Sequence, residues 1–286
     1  METPNQAAKK DGFLRNFLQR AVTGIVFVAV IGAAFLLGPY TYAMVLTSIV
    51  TLASIEYGRL IRAGGYSPHV LMALGINIVA FALGFLVNVS NIDYRMLLLV
   101  VGLVWLMFLV ELFSTNPNPL TNIALTMLCC VYVGIPFALF NLLAFKSGTY
   151  DYRPILGLFA LVWVNDTGAY LCGVSMGRHK LYERISPKKT VEGFIGGVIL
   201  TMLVGWSAYA FFDDFFFHAG LSFALISAAI VAIFGTAGDL IESMFKRSVS
   251  IKDSGRILPG HGGVLDRFDA VIFVSPIVSL IYYFFT

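Results

Sequence analysis

The residues best equipped for chemistry lie in one stretch, 235–269, which reads GTAGDLIESMFKRSVSIKDSGRILPGHGGVLDRFD. If the apolar segment before it continues as a helix, Asp239, Glu242, Ser243, Lys246 and Arg247 follow the i, i+3, i+4, i+7, i+8 spacing of one helical face. That face presents carboxylates, a hydroxyl and then two cations, while Leu240, Met244 and Phe245 point elsewhere. The polar run Ser250 to Gly255 follows. Next comes Pro259-Gly260-His261-Gly262-Gly263, where missing Cβ atoms let backbone amides approach an anion closely. The stretch ends at Asp266-Arg267-Phe268-Asp269, two acids at i, i+3 on one face at the start of the last apolar segment. Carboxylates from different elements hold Mg²⁺ together with substrate phosphate oxygens. Lys and Arg neutralise charge on a transferred phosphorus and its leaving group. These residue types suit phosphoryl or nucleotidyl transfer. The alternative is a charged loop with a glycine turn. No Ser/His/Asp order, nucleophile elbow, zinc spacing or P-loop is present, which weakens hydrolase and NTPase readings.

The elements that must position these residues are membrane helices. Of 286 residues, 58% are hydrophobic and 12% charged, about half the roughly 25% charge of a soluble domain. Such a surface is tolerated by lipid. There is no basic tract interleaved with aromatics, so nucleic acid is not an expected partner. Cys129, Cys130 and Cys172 lie in apolar stretches without metal-ligand or disulfide spacing and read as small packing residues. A span needs roughly 20 mostly apolar residues. Nine segments qualify, at about 21–38, 41–58, 69–88, 96–113, 121–145, 154–173, 194–212, 221–239 and 269–286. The predicted fold is therefore an all-α polytopic bundle. Two connections are long, 174–193 and 240–268, and both are rich in Lys, Arg and Gly.

Orientation follows from the basic residues. Sixteen of the 19 Lys and Arg fall on one set of alternate loops, and three (Arg95, Lys146 and Arg153) on the other. The excess side is cytoplasmic, which puts the N-terminus inside, the C-terminus outside and both long loops in the cytoplasm. Met1 to Arg20 is polar and reads as a retained cytoplasmic tail. Acids within spans are costly and are functional candidates by default. Glu56, Glu111, Asp166, Asp239, Asp266 and Asp269 all fall toward the cytoplasmic side, with Asp166 about 10 Å deep. Together with the basic loops they would form a polar bowl, although Glu56 and Glu111 could equally be solvated helix ends.

The run S-x-x-K-R-x4-K-D-x5-P-G-H-G-G-x-x-D-R-x-D, Ser243 to Asp269, resembles the phosphatidate cytidylyltransferase family. So do Gly238-Asp239-Leu240, Asn165-Asp166-Thr167-Gly168-Ala169-Tyr170 and Ser186-Pro187-Lys188-Lys189-Thr190-Val191-Glu192-Gly193. Ala270 stands where the family often has serine. The resemblance implies that CTP and phosphatidate, a membrane lipid, give CDP-diacylglycerol and pyrophosphate. It implies Asp239 and Asp266 as ligands of Mg²⁺, with K⁺ nearby, and Asp269 and Asp166 as supporting acids. Lys246, Arg247, Lys252 and Arg267 would clamp phosphates, as would Ser186, Lys188, Lys189 and Thr190. Ser243, Gly262 and Gly263 complete the expected site. His261 either bonds a phosphate or the ribose, or fixes the glycine turn. Residues 151–286 would then be the catalytic half, and 1–150 a tail and five spans forming a lipid chamber or dimer scaffold. A homodimer in a bacterial inner membrane is implied. A CTP-dependent lipid kinase shares parts of the motif, and an ion-coupled transporter is the rival from another class.

Overall fold

The computed structural model describes residues 22–90, 92–211, 220–251, 254, 255 and 262–285. Helix α1 (Val22–Leu36) is followed by α2 (Pro39–Ala63) and α3 (Val70–Val89). A 3₁₀ turn (Tyr94–Leu97) leads into α4 (Leu98–Leu112), and α5 runs over Pro119–Phe145. Then come α6 (Arg153–Met176), the strands β1 (Lys180–Tyr182) and β2 (Ser186–Thr190), α7 (Val191–Phe211), α8 (Gly220–Ser248) and α9 (Leu265–Phe285). The helix starts follow local chemistry: Pro39 and Pro119 sit at N-terminal positions where a missing N–H costs nothing. Gly38 precedes the first of these at φ 129°, a conformation closed to residues with a Cβ.

The protein is an all-α polytopic membrane protein, with eight helices among the described residues long and apolar enough to span. The segment expected as the first of nine spans is described as the shorter helix Val22–Leu36. Three further features differ in detail from the hydropathy reading. The helix expected to end near 239 continues to Ser248, carrying the Asp239–Arg247 face into the basic loop. The fifth span contains a π-helical turn at Cys130–Gly134. The 174–193 connection holds an antiparallel hairpin pairing Lys180 with Thr190 and Tyr182 with Ser186. Hydropathy is blind to that hairpin, because its strands are short and rich in charge.

Two packing arrangements position the site. On α7, Gly193, Gly197, Thr201 and Gly205 recur every four residues and are all buried, a small-residue stripe of the kind that lets membrane helices approach closely. A Cβ on Gly193 would lie 2.7 Å from the Ala169 carbonyl oxygen, and one on Gly197 would lie 3.0 Å from that of Asn165. The α6 backbone thus rides directly on α7, holding Asp166 beside the hairpin. At the other packing point, Phe268 of α9 is fully buried, with ring contacts to Phe27 of α1 (5.7 Å), Phe137 of α5 (5.7 Å) and Phe159 of α6 (5.9 Å). The first turn of α9, with Asp266 and Asp269, is pinned by aromatic rings from three helices. Alongside, α8 and α9 cross at Gly238, where a Cβ would lie 2.6 Å from the Asp269 carbonyl oxygen and 3.1 Å from the Ala270 Cα. The crossing has room only for small side chains, which fits alanine at 270.

Candidate functional site

A cavity of about 390 Å³ opens between α6, the hairpin, α7 and α8. Its polar lining is Asn165 and Asp166 from α6, Lys188, Lys189 and Thr190 from β2, and Thr236 and Asp239 from α8. Lys189 Nζ stands 2.7 Å from Asp239 Oδ2, and the Ser243 hydroxyl donates to Asp239 Oδ1 at 3.3 Å. Asp166 has Lys189, Asp239 and Arg267 as charged neighbours, and Asp269 has Asp239, Asp166 and Lys189. The hairpin is held to the start of α7 by its own side chains. The Thr190 hydroxyl caps that helix by accepting from the Gly193 N–H at 3.1 Å. Glu192 accepts from the Arg178 amide at 3.0 Å and pairs with His179 Nδ1 at 2.6 Å. Lys188 and Lys189 therefore project from a braced strand.

Beside the cavity lies a second, more buried group. Lys246 Nζ bridges Glu242 Oε2 (2.6 Å) and Asp266 Oδ1 (2.7 Å), three side chains of which none is more than about one-tenth exposed. The Gly263 and Ser254 amides donate to Asp266 Oδ2 at 2.8 and 3.1 Å. Gly262 takes φ +84°, and a Cβ there would meet the Asp266 carboxylate at 2.7 Å. A third acid, Glu56 of α2, is fully buried and accepts from the Leu265 N–H at 2.8 Å.

Most of the sequence-predicted site residues thus converge. Asp166, Asp239, Lys188, Lys189 and Thr190 line the cavity, Ser243 and Asp269 adjoin Asp239, and Lys246, Asp266, Gly262 and Gly263 form the neighbouring group. Arg267 is exposed at the start of α9, and its charge acts on Asp166. Arg247 is exposed and donates to the Ile251 carbonyl at 3.4 Å. Ser186 pairs with Tyr182 in the hairpin. Lys252 and His261 lie outside the described residues. Of the two acids with open assignments, Glu56 joins the site, whereas Glu111 pairs with His69 and Asn122 in a separate buried cluster. Asn165, read in the sequence only as part of the Asn165–Tyr170 motif, was given no role of its own, and Thr236 was not singled out because a lone hydroxyl in an apolar span carries no spacing signal.

The expected metal ligands, Asp239 and Asp266, are each neutralised by a different lysine. Among the described residues no three His, Cys, Asp or Glu side chains converge on one point. The donor chemistry nevertheless suits a hard divalent cation. Five acids, Asp166, Asp239, Glu242, Asp266 and Asp269, stand among the cations Lys188, Lys189, Lys246 and Arg267. Buried Glu242 Oε1 and Asn165 Oδ1 have no hydrogen-bond partner among the described residues. Carboxylates, lysines and an open cavity under a braced hairpin can bind phosphates and a cation together.

Comparison with known proteins agrees with this chemistry. The chain is 36% identical over 267 residues to the phosphatidate cytidylyltransferase of Staphylococcus haemolyticus, covering 92% of this chain and 97% of that protein. The Staphylococcus saprophyticus protein of the same name is 38% identical over 214 residues, 75% of this chain and 78% of its own length. That of Staphylococcus aureus is 44% identical over 168 residues, 59% and 62% respectively. Residues 18–285, which take in every described helix and both described strands, match the cytidylyltransferase family, and the chain belongs to that family.

Proposed function

We propose that the protein is a phosphatidate cytidylyltransferase, a membrane nucleotidyltransferase that converts CTP and phosphatidate to CDP-diacylglycerol and pyrophosphate. The observation that carries this reading is the joining of a lysine-lined cavity to a cluster of carboxylates at one end of the bundle. In the reaction a lipid phosphate oxygen attacks the α-phosphorus of CTP in line, and pyrophosphate leaves. Lys188 and Lys189, on their braced strand, would hold the nucleotide phosphates, with Thr190 fixing the strand end and Ser186 nearby. Lys246 and Arg267, with Arg247 and Lys252 of the same basic stretch, would neutralise charge on the leaving group and the lipid phosphate. Ser243 orients Asp239, and Gly262, Gly263 and His261 shape the phosphate-facing loop.

A divalent metal is general to this family, and here we assign Mg²⁺ to Asp239 and Asp266, supported by Asp269 and Asp166. When bound it would polarise the phosphoryl oxygens and offset negative charge on the carboxylates and phosphates. K⁺ is the second cation that the family resemblance implies, and a homodimer the implied assembly. The bacterial relatives favour a plasma membrane location, and the charge asymmetry of the loops favours this site facing the cytoplasm, where CTP is dissolved. A two-tailed lipid then reaches the acids sideways from the inner leaflet.

The test is label transfer. Purified protein is incubated in detergent with phosphatidate, Mg²⁺ and CTP labelled at either the α- or the γ-phosphate. We expect α-label in the lipid from wild type and loss of at least about 100-fold in Asp266→Ala. Label from the γ position alone would make the protein a lipid kinase. No transfer from either position, in folded protein, would return the reading to a transporter.

A further inference from the structure

Glu56 has no place in the family motif, yet it is the most completely buried carboxylate in the molecule's described part, at 0% exposure. An ionised group inside a membrane bundle persists only where fixed partners repay its desolvation. Its partner belongs to the last helix, 209 residues away in the chain: the Leu265 N–H donates to Oε2 at 2.8 Å, while Oε1 has no hydrogen-bond partner among the described residues. This amide lies at the N-terminus of α9, where N–H groups lack partners within the helix and the helix dipole is positive. Glu56 therefore acts as an N-cap supplied by another helix.

The glycines of the loop answer to the same carboxylate. A Cβ on Gly255 would lie 2.8 Å from Glu56 Cδ, and one on Gly263 would lie 2.5 Å from Glu56 Oε2. Gly255 and Gly263 thus both pack on the acid, and Ser254 packs on Gly263. The neighbouring amides of Ser254 and Gly263 then point at Asp266. The glycine at 263 is required by close approach to Glu56, separately from any approach to a phosphate.

We infer that Glu56 is a positioning residue, which holds the start of α9 together with Gly255 and Gly263 so that Asp266 meets Lys246 and the site stays assembled. This rests on the functional reading above only for its consequence in catalysis, since the anchoring itself is a property of the unliganded protein. The test uses the full-length protein in detergent, comparing wild type, Glu56→Gln and Glu56→Asp. Glutamine keeps the shape but removes the charge and turns one acceptor into a donor facing an amide. We expect amide hydrogen exchange at Gly263 and Leu265 to rise roughly 10- to 100-fold in Glu56→Gln, the weight of a charge-assisted bond, with α6 and α7 unchanged. Glu56→Asp should fall between. In the α-label assay, half-saturating Mg²⁺ should rise about 10-fold or more in Glu56→Gln, as for loss of an outer-shell support. Exchange within twofold of wild type, or faster by the same factor in every helix, overturns the inference. If Glu56→Gln yields no folded protein, Gly255→Ala probes the same contact from the loop side, and unchanged exchange at Gly263 and Leu265 has the same force. Wild-type protein that transfers no α-label sinks the functional reading but leaves exchange to decide on Glu56. An active wild type with an unaltered Glu56→Gln sinks the positioning role alone.

Discussion

The two lysines that neutralise the site acids sit in different environments, and the difference decides what each does. Lys246 is buried between Glu242 and Asp266, whereas Asp239, the partner of Lys189, keeps 38% of its side chain exposed. Removing one partner of a buried network leaves uncompensated charge, a loss of about 3 kcal/mol or more. A half-exposed pair is screened and contributes under about 1 kcal/mol. Lys246→Met should therefore lower the melting temperature in detergent clearly. Lys189→Met should leave it nearly unchanged while reducing kcat/KM for CTP by about 100-fold, as expected for loss of a phosphate-stabilising charge. Comparable destabilisation by both, or near-normal kinetics in Lys189→Met, would contradict this division. Asp239, Glu242, Lys246, Asp266 and Asp269 were legible in the sequence because their spacing along α8 and at the start of α9 is local. Glu56 was legible only as an acid in a span. Its partner is a backbone amide 209 residues on, and backbone groups leave no mark in a residue pattern.

At the scale of elements, hydropathy located the helices because each carries a long apolar run, but it did not say which faces meet. The information for one contact was present, in the four-residue recurrence Gly193, Gly197, Thr201, Gly205, though a membrane segment rich in glycine reads equally well as a flexible one. The β-hairpin was invisible for the opposite reason, since nothing apolar alternates in Lys180–Tyr182 or Ser186–Thr190. Both features bear on the same cavity, because α6 supplies Asp166 and the hairpin running into α7 supplies Lys189. Gly197→Leu tests the contact. Even a Cβ there crowds the Asn165 backbone, so a leucine must push α6 and α7 apart. We expect a loss of about 2 kcal/mol or more, read as a lower melting temperature, together with a raised KM for CTP. Phe268→Ala should destabilise by a similar amount, about 3 kcal/mol, because lipid offers no transfer penalty and the loss is mainly of ring packing against Phe27, Phe137 and Phe159. Unchanged melting temperatures in either variant would mean that these contacts do not hold the site together.

The whole molecule raises a question of sides, and the basic residues and the structure bear on it independently. Ser147 lies between α5 and α6, and Glu183 lies in the turn of the hairpin after α6. A single spanning helix, Arg153–Met176, separates them, so the two positions must face opposite sides of the membrane. Arg178, Lys180, Arg184, Lys188 and Lys189 cluster around Glu183, against Lys146 and Arg153 near Ser147, and the positive-inside rule then puts the hairpin in the cytoplasm. Both side chains are exposed, so each accepts a reporter. With Cys129, Cys130 and Cys172 replaced by alanine or serine, Glu183→Cys should react with an impermeant maleimide only in inside-out vesicles, and Ser147→Cys only in intact cells. The reversed pattern would put the lysine-lined cavity outside, away from a cytosolic nucleotide, and would remove the physical basis for CTP as its ligand. Labelling of both from one side would mean that α6 does not cross. That would break the arrangement in which Asp166, within the span, looks onto a cavity whose lysines come from the aqueous face.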